Sequence, residues 1–165
     1  CIRDRLGPAG RVLAIDFAAA MVDIARSRHA DGRVSWLCAD ARLAPVAPGS
    51  LDVVLCFDAL PHFADLRQVL AVFASWLAPG GRLLVWHDIG RARLAAVHGK
   101  AGPPLDGDLL PPVGELAPLA RATGLQVARA EEDEDSYTFL ARRSPSRRGR
   151  WRRRRRWIWR STICG

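Results

Sequence analysis

Apolar positions along this chain follow two alternating patterns. Four short runs, Val12 to Ile15, Val34 to Cys38, Leu51 to Phe57 and Leu83 to Trp86, are almost continuously apolar. Such runs fit parallel strands covered on both faces better than the alternation of a half-solvated sheet. Between the first two, Ala18, Met21, Val22 and Ala25 recur at i, i+3, i+4 and i+7, the stripe of a helix with one face on a core. Between the last two, Leu66, Val69, Leu70, Phe73, Trp76 and Leu77 repeat that stripe. Asp65, with Gln68 following it, resembles a capping box at the start of this helix, and Pro79-Gly80-Gly81 stops it. Strands alternating with helices of this length predict βαβ units with right-handed crossovers.

Further along, Pro111-Pro112 opens a third helix through Leu116, Leu119 and Ala120, closed by Gly124 and marred by Pro118. Leu125 to Ala130 and Tyr137 to Ala141 then read as two strands joined by the acidic turn Glu131 to Asp135, an antiparallel hairpin at a sheet edge. The stretch from His87 to Pro104 is polar and rich in Gly and Pro. It reads as a long loop over the catalytic edge, the usual place of a substrate lid.

At 165 residues and 49% hydrophobic content, the chain can bury one substantial core, which excludes disorder throughout. It has no run of about 18 apolar residues to span a bilayer. Cys1 to Arg5 lacks the basic-then-apolar order of a secretory signal, so the cytoplasm is the expected compartment. The four cysteines lack the paired spacing of zinc sites, and Cys38 and Cys56 fall inside expected strands as buried, inert thiols. Neither a metal nor a disulfide framework is expected.

Charge divides the chain. Arg142 to Gly165 carries 11 of the 25 basic residues and none of the 17 acidic ones. The net charge of +8 therefore describes neither part, and residues 1–143 are expected to form the domain, with residues 144–165 a disordered tail. The tail combines arginines with Trp151, Trp157 and Trp159, and mutual repulsion of its guanidinium groups opposes compact structure. One reading is binding to nucleic acid or to an anionic surface, open to the tail alone. The other is a shifted reading frame through GC-rich coding sequence, which yields Arg and Trp runs of this kind.

Candidate chemistry clusters where the expected strands end. Asp16 closes the first strand, on the ligand-binding edge of a doubly wound sheet, where a carboxylate can accept from both hydroxyls of a ribose. NAD-binding and adenosyl-binding folds both use such an acid, and a helix N-cap is the structural alternative. Asp40 and Ala41 follow the second strand, where the carboxylate can accept from an adenine amine and the backbone N–H of Ala41 can meet a ring nitrogen. A turn aspartate is the alternative there. Phe57 and Asp58 leave the third strand at the same edge. His62, His87 and His98 each follow a strand end or lie in the loop beyond it. A general base there suits an acceptor that must lose a proton, such as a hydroxyl or a protonated amine, and loop or capping roles are the alternative. His62 is the first candidate.

The order Gly10-Arg11-Val12, Asp16, Met21, Ala39-Asp40-Ala41, Asp52-Val53-Val54, Leu60-Pro61-His62 and Leu77 to Leu83 resembles the small-molecule class I S-adenosylmethionine-dependent methyltransferases. Those related to the ubiquinone and menaquinone biosynthesis methylases are particularly similar. The resemblance spans roughly Leu6 to Arg142. It implies a Rossmann-like α/β fold with a mostly parallel sheet, and methyl transfer from S-adenosylmethionine to a small-molecule acceptor. It also implies that Asp16 binds the ribose hydroxyls, Phe17 and Met21 pack near the adenosyl group, Asp40 and Ala41 hold adenine, and Phe57 and Asp58 border the transfer position. The family begins with a strand and a Gly-rich turn that this sequence lacks. That strand belongs between the one ending at Asp16 and the one ending at Phe57, and the chain as it stands is expected to be an inactive fragment. A nicotinamide-dependent oxidoreductase of NAD(P) type and a polyanion-binding protein acting through the tail are the competing classes.

Overall fold

The computed structural model describes residues 7–29, 31–101, 103, 107–145 and the backbone of 156–159. The elements are β1 (Arg11–Asp16), α1 (Ala19–Arg28), β2 (Val34–Cys38), β3 (Leu51–Phe57), α2 (Leu66–Trp76), β4 (Leu77–His87), α3 (Arg91–Ala101), α4 (Val113–Ala122), β5 (Leu125–Glu132), β6 (Tyr137–Arg143) and β7 (Arg156–Trp159). Short 3-10 turns follow β2 at Ala41–Leu43 and β3 at Leu60–His62. The strands form one sheet in the order β2-β1-β7-β3-β4-β6-β5. The pairs from β2 to β4 are parallel, and β6 and β5 close the far edge antiparallel. This is the α/β architecture with a mostly parallel sheet and an antiparallel edge hairpin that the patterning predicts.

The expected α2 stripe carries the core. Val69, Leu70, Phe73 and Trp76 are buried, together with Val54, Cys56, Leu83 and Val85 of the central strands. Burying each large side chain contributes about 1.5–3 kcal/mol. Asp65 accepts from the Gln68 N–H at 2.9 Å and so caps the helix start. At the other end, Arg143 donates to the carbonyl oxygens of Ala74, Ser75 and Leu77, placing a cation where the helix dipole is negative.

Several expectations are corrected. The stretch after His87 is no long loop: residues 91–101 form α3, because Arg, Ala and Leu are strong helix formers and Leu94 and His98, one turn apart, are both buried. Its Gly and Pro residues gather mainly at the ends. Strand β4 begins at Leu77 and not at Leu83, with a register irregularity opposite Leu51 to Val53. Cys56 is buried but Cys38 is exposed, since β2 is the outermost strand and α1 buries only Val22 of its stripe.

The largest correction concerns the tail. Residues 156–159, expected to be disordered, form β7 in the sheet's interior, parallel to both neighbours. Their place is the gap between β1 and β3, where the resemblance puts the family's first strand. Two facing strands with open N–H and C=O groups provide a ladder on each side for an uncharged run such as Trp157-Ile158-Trp159. That gain outweighs the repulsion of the adjoining arginines. The rest of the tail, residues 146–155 and 160–165, lies outside the described residues.

Candidate active site

The carboxyl ends of β1, β2, β3 and β4 bring Asp16, Asp40, Asp58 and His87 to one edge of the sheet. Asp16 is only 8% exposed. Its Oδ1 accepts from the Ala18 N–H at 2.9 Å, and its Oδ2 is buried without a partner. An unpaired buried carboxylate oxygen is costly. This oxygen could accept from a ligand's hydroxyl. The two readings of Asp16 thus coexist, one oxygen shaping the turn into α1 and the other free for a ligand.

Met21 lines a cleft of about 70 Å³ together with Asp16, Val22 and Trp36. That space takes several water molecules and opens to solvent beside the Asp16 carboxylate. Phe17, the neighbour of Asp16, is exposed. Asp40 caps the turn holding the buried Ala41, and both of its oxygens are engaged by the Arg42 side chain, at 2.6 to 3.1 Å. The turn-aspartate role is the one its contacts serve. Phe57 packs against Trp86 with ring centres 5.0 Å apart.

Asp58 has φ +45, in the left-handed region that costs an ordinary residue about a kcal/mol or more. Burial pushes its carboxyl up to about 6, with the charge of Asp88 adding to the rise. Beside it, fully buried His87 is pulled down to about 4 by burial, with His62 and His98 contributing. His87 Nδ1 lies 3.3 Å from Asp58 Oδ1, yet neither atom has hydrogen-bond geometry to a partner. Proximity without alignment makes this a weak pair. The Tyr137 hydroxyl is likewise buried and unpartnered, and its ring meets His87 edge-on at 5.6 Å.

These two shifts act on stability in opposite directions as pH falls. Unfolded His87 titrates near 6.5 and folded His87 near 4, so the unfolded state binds more protons between those values and stability falls as pH drops through them. By pH 4.5 this group alone costs about 2–3 kcal/mol. Asp58 acts oppositely: its folded carboxyl holds a proton up to about 6, so its contribution is gained as pH falls through 6. Urea unfolding at pH 7 and pH 4.5 separates the two. His87→Gln is expected to lose less stability between those pH values than the parent, by about 2 kcal/mol, and equal losses would contradict the assignment.

Sequence reasoning missed a further residue. His62 sits in the 3-10 turn after β3, and its Nδ1 lies 2.5 Å from Asp108 Oδ2. His98 of α3 is 2% exposed and places its Nδ1 2.7 Å from the Asp108 carbonyl oxygen. The His62 and His98 rings are 5.6 Å apart. Among the described residues no group of three His, Cys, Asp or Glu side chains could hold a metal ion, so this is a hydrogen-bonded cluster. Asp108 lies well outside the motifs, 46 residues from His62. Only the tertiary path of α3 brings them together.

The site residues fit an adenosyl ligand through Asp16. The described loops at this edge, after β1, β2, β3 and β4, contain no glycine pair that would let backbone approach the remainder of such a ligand. The hydrophilic edge belongs to a domain in which no helix among the described residues is long and apolar enough to cross a membrane.

Comparison with known proteins bears on the family and the fold. Residues 2–85 match the family model described as a methyltransferase domain. The chain is 37% identical over 82 residues to the 2-phytyl-1,4-naphtoquinone methyltransferase of Thermosynechococcus vestitus, covering 49% of this chain and 36% of that protein. It is 41% identical over 81 residues to the demethylmenaquinone methyltransferase of Thermus thermophilus, covering 47% and 36%. The matched stretch is thus about a third of these relatives' length. The crystal structure of a SAM-dependent methyltransferase from Aquifex aeolicus superposes with a TM-score of 0.63 at 16% identity, over 82% of this chain and 70% of that one. With half of its length inside the family model and the fold in common, the chain belongs to the methyltransferase domain family, of the class I, S-adenosylmethionine-dependent type.

Proposed function

We propose that this chain supplies the adenosyl-binding edge and the acceptor-facing histidine of an enzyme that methylates a small molecule. When bound, S-adenosylmethionine supplies a methyl group on a positively charged sulfur. Asp16 holds the ribose through its unpartnered Oδ2, while Phe17 and Met21 flank the adenosyl group, and this buried open oxygen is the observation that carries the reading. Phe57 and Asp58 border the position where the acceptor meets the methyl group, and His62 stands next to it along the chain. Most of the rate would come from holding acceptor and methyl carbon in line.

The test is calorimetry of S-adenosylhomocysteine binding to the full-length protein. Asp16→Ala is expected to weaken binding about 10- to 100-fold, the loss of one or two charge-assisted hydrogen bonds. Asp40→Ala is expected to have a smaller effect, because Arg42 already occupies that carboxylate. Unchanged affinity in Asp16→Ala would refute the reading.

A further inference from the structure

We propose that Asp108 is a positioning residue that fixes His62 as a general base, and that the acceptor is therefore a compound whose reacting atom sheds a proton on methylation, a hydroxyl or a protonated amine. This rests on the methyl-transfer reading above and adds to it the proton's destination.

The argument starts from the donor inventory. An ionised carboxylate only accepts hydrogen bonds, so at 2.5 Å from Asp108 Oδ2 the His62 Nδ1 must carry the hydrogen. Neutral imidazole then has its lone pair on Nε2. A histidine free to rotate would divide its time between tautomers and orientations, and the carboxylate selects one of each. Asp108 is itself held in place, because its carbonyl oxygen accepts from buried His98 at 2.7 Å. Its backbone is thus tied to α3 and its side chain to the turn after β3. The His62 side chain is 8% exposed, against 30% for Asp108, so the pair is largely, though not wholly, removed from water.

A base of this kind is useless to an acceptor that has no proton to lose. For a hydroxyl acceptor the balance closes. The acceptor oxygen forms a bond to the methyl carbon, the carbon–sulfur bond breaks with its electron pair remaining on sulfur, and the hydroxyl proton passes to His62 Nε2. The imidazolium so formed is countered by Asp108 and then gives its proton to water. Asp108 touches no reacting atom, and its effect is exerted through His62.

Two measurements decide this. In ¹⁵N-labelled protein, long-range ¹H–¹⁵N correlation reads the tautomer of His62. The Nδ1–H form is expected in the parent, a mixture is expected in Asp108→Asn, and recovery of the Nδ1–H form is expected in Asp108→Glu. An Nε2–H parent, or a tautomer indifferent to Asp108→Asn, would overturn the proposal whether or not the protein turns over. In the full-length protein, release of S-adenosylhomocysteine is followed with catechol and with dimethyl sulfide, an acceptor that has no proton to lose. Asp108→Asn is expected to lower kcat for catechol about 100-fold with KM little changed, and Asp108→Glu to restore part of it. Methylation of dimethyl sulfide but not catechol would overturn the substrate class. Failure of the parent to bind S-adenosylhomocysteine would instead strike the methyl-transfer reading, which the tautomer measurement does not share.

Discussion

A chain ending at Pro145 is expected to lose cooperative unfolding altogether. Strand β7 pairs with β1 from Arg11 to Ala14 and with β3 at Val53 and Val54. Removing it leaves two parallel strands facing each other across an empty lane, each with a row of N–H and C=O groups that no other described element reaches. Each such group costs about 1–3 kcal/mol when buried without a partner, and a domain has only about 5–15 kcal/mol of net stability to lose. The same loss in milder form is expected from Ile158→Pro, since proline gives up a ladder hydrogen bond and is not tolerated in an interior strand. Thermal unfolding followed by circular dichroism checks both. A shortened chain that melts as sharply and at the same temperature as the parent would show that β7 contributes nothing to the fold.

Gly90→Ala is the second large effect. A Cβ at this position would lie 2.2 Å from the carbonyl oxygen of Asp133 and 2.5 Å from that of Glu134. Both atoms are backbone, so no side chain can swing aside. The Gly90 N–H also donates to Glu134 O at 3.1 Å, which fixes the start of α3 against the turn between β5 and β6. Displacing that contact is expected to cost about 3 kcal/mol, or roughly 6–12 °C in Tm for a domain of this size. The disturbance would also reach α3 and hence His98 and Asp108, so the His62 tautomer should become mixed as well. A Tm within 2 °C of the parent, measured by calorimetry, would contradict the close approach.

How much of this was readable from residue order depends on where each interaction's partners lie. Helix α2 and strand β3 were legible because their signals are local: a stripe at helical spacing with Asp65 as cap, and a seven-residue apolar run. Asp16 was legible as a position, because an acid that closes an apolar run comes out at the carboxyl edge of the sheet, and there it stands. Asp40 was legible as a position but not in its contacts, since nothing in the order of residues says that Arg42 turns back onto it. Helix α3 was hidden by Gly99 and by the glycines and prolines that flank it, although Leu94 and His98 one turn apart were a usable signal. Asp108 had no local signal, because its partners His62 and His98 come from two other elements. The arginines beside β7 argued against order, and what reverses that argument is an empty place in the sheet, which belongs to the whole fold and not to the segment.

The central place of β7 also bears on how fast the molecule assembles. Its partners β1 and β3 come roughly 145 and 100 residues earlier in the chain, so the sheet's middle closes only through contacts of very long sequence separation. Folding rates fall steeply as such separations come to dominate. Meanwhile helix α2, β4 and the β5–β6 hairpin can associate through nearer contacts, leaving β1 with one open side while the rest is compact. An intermediate with an exposed strand edge pairs readily with its own copies. Refolding should therefore be slow, and its yield should fall as protein concentration rises, even when the finished domain is monomeric and stable.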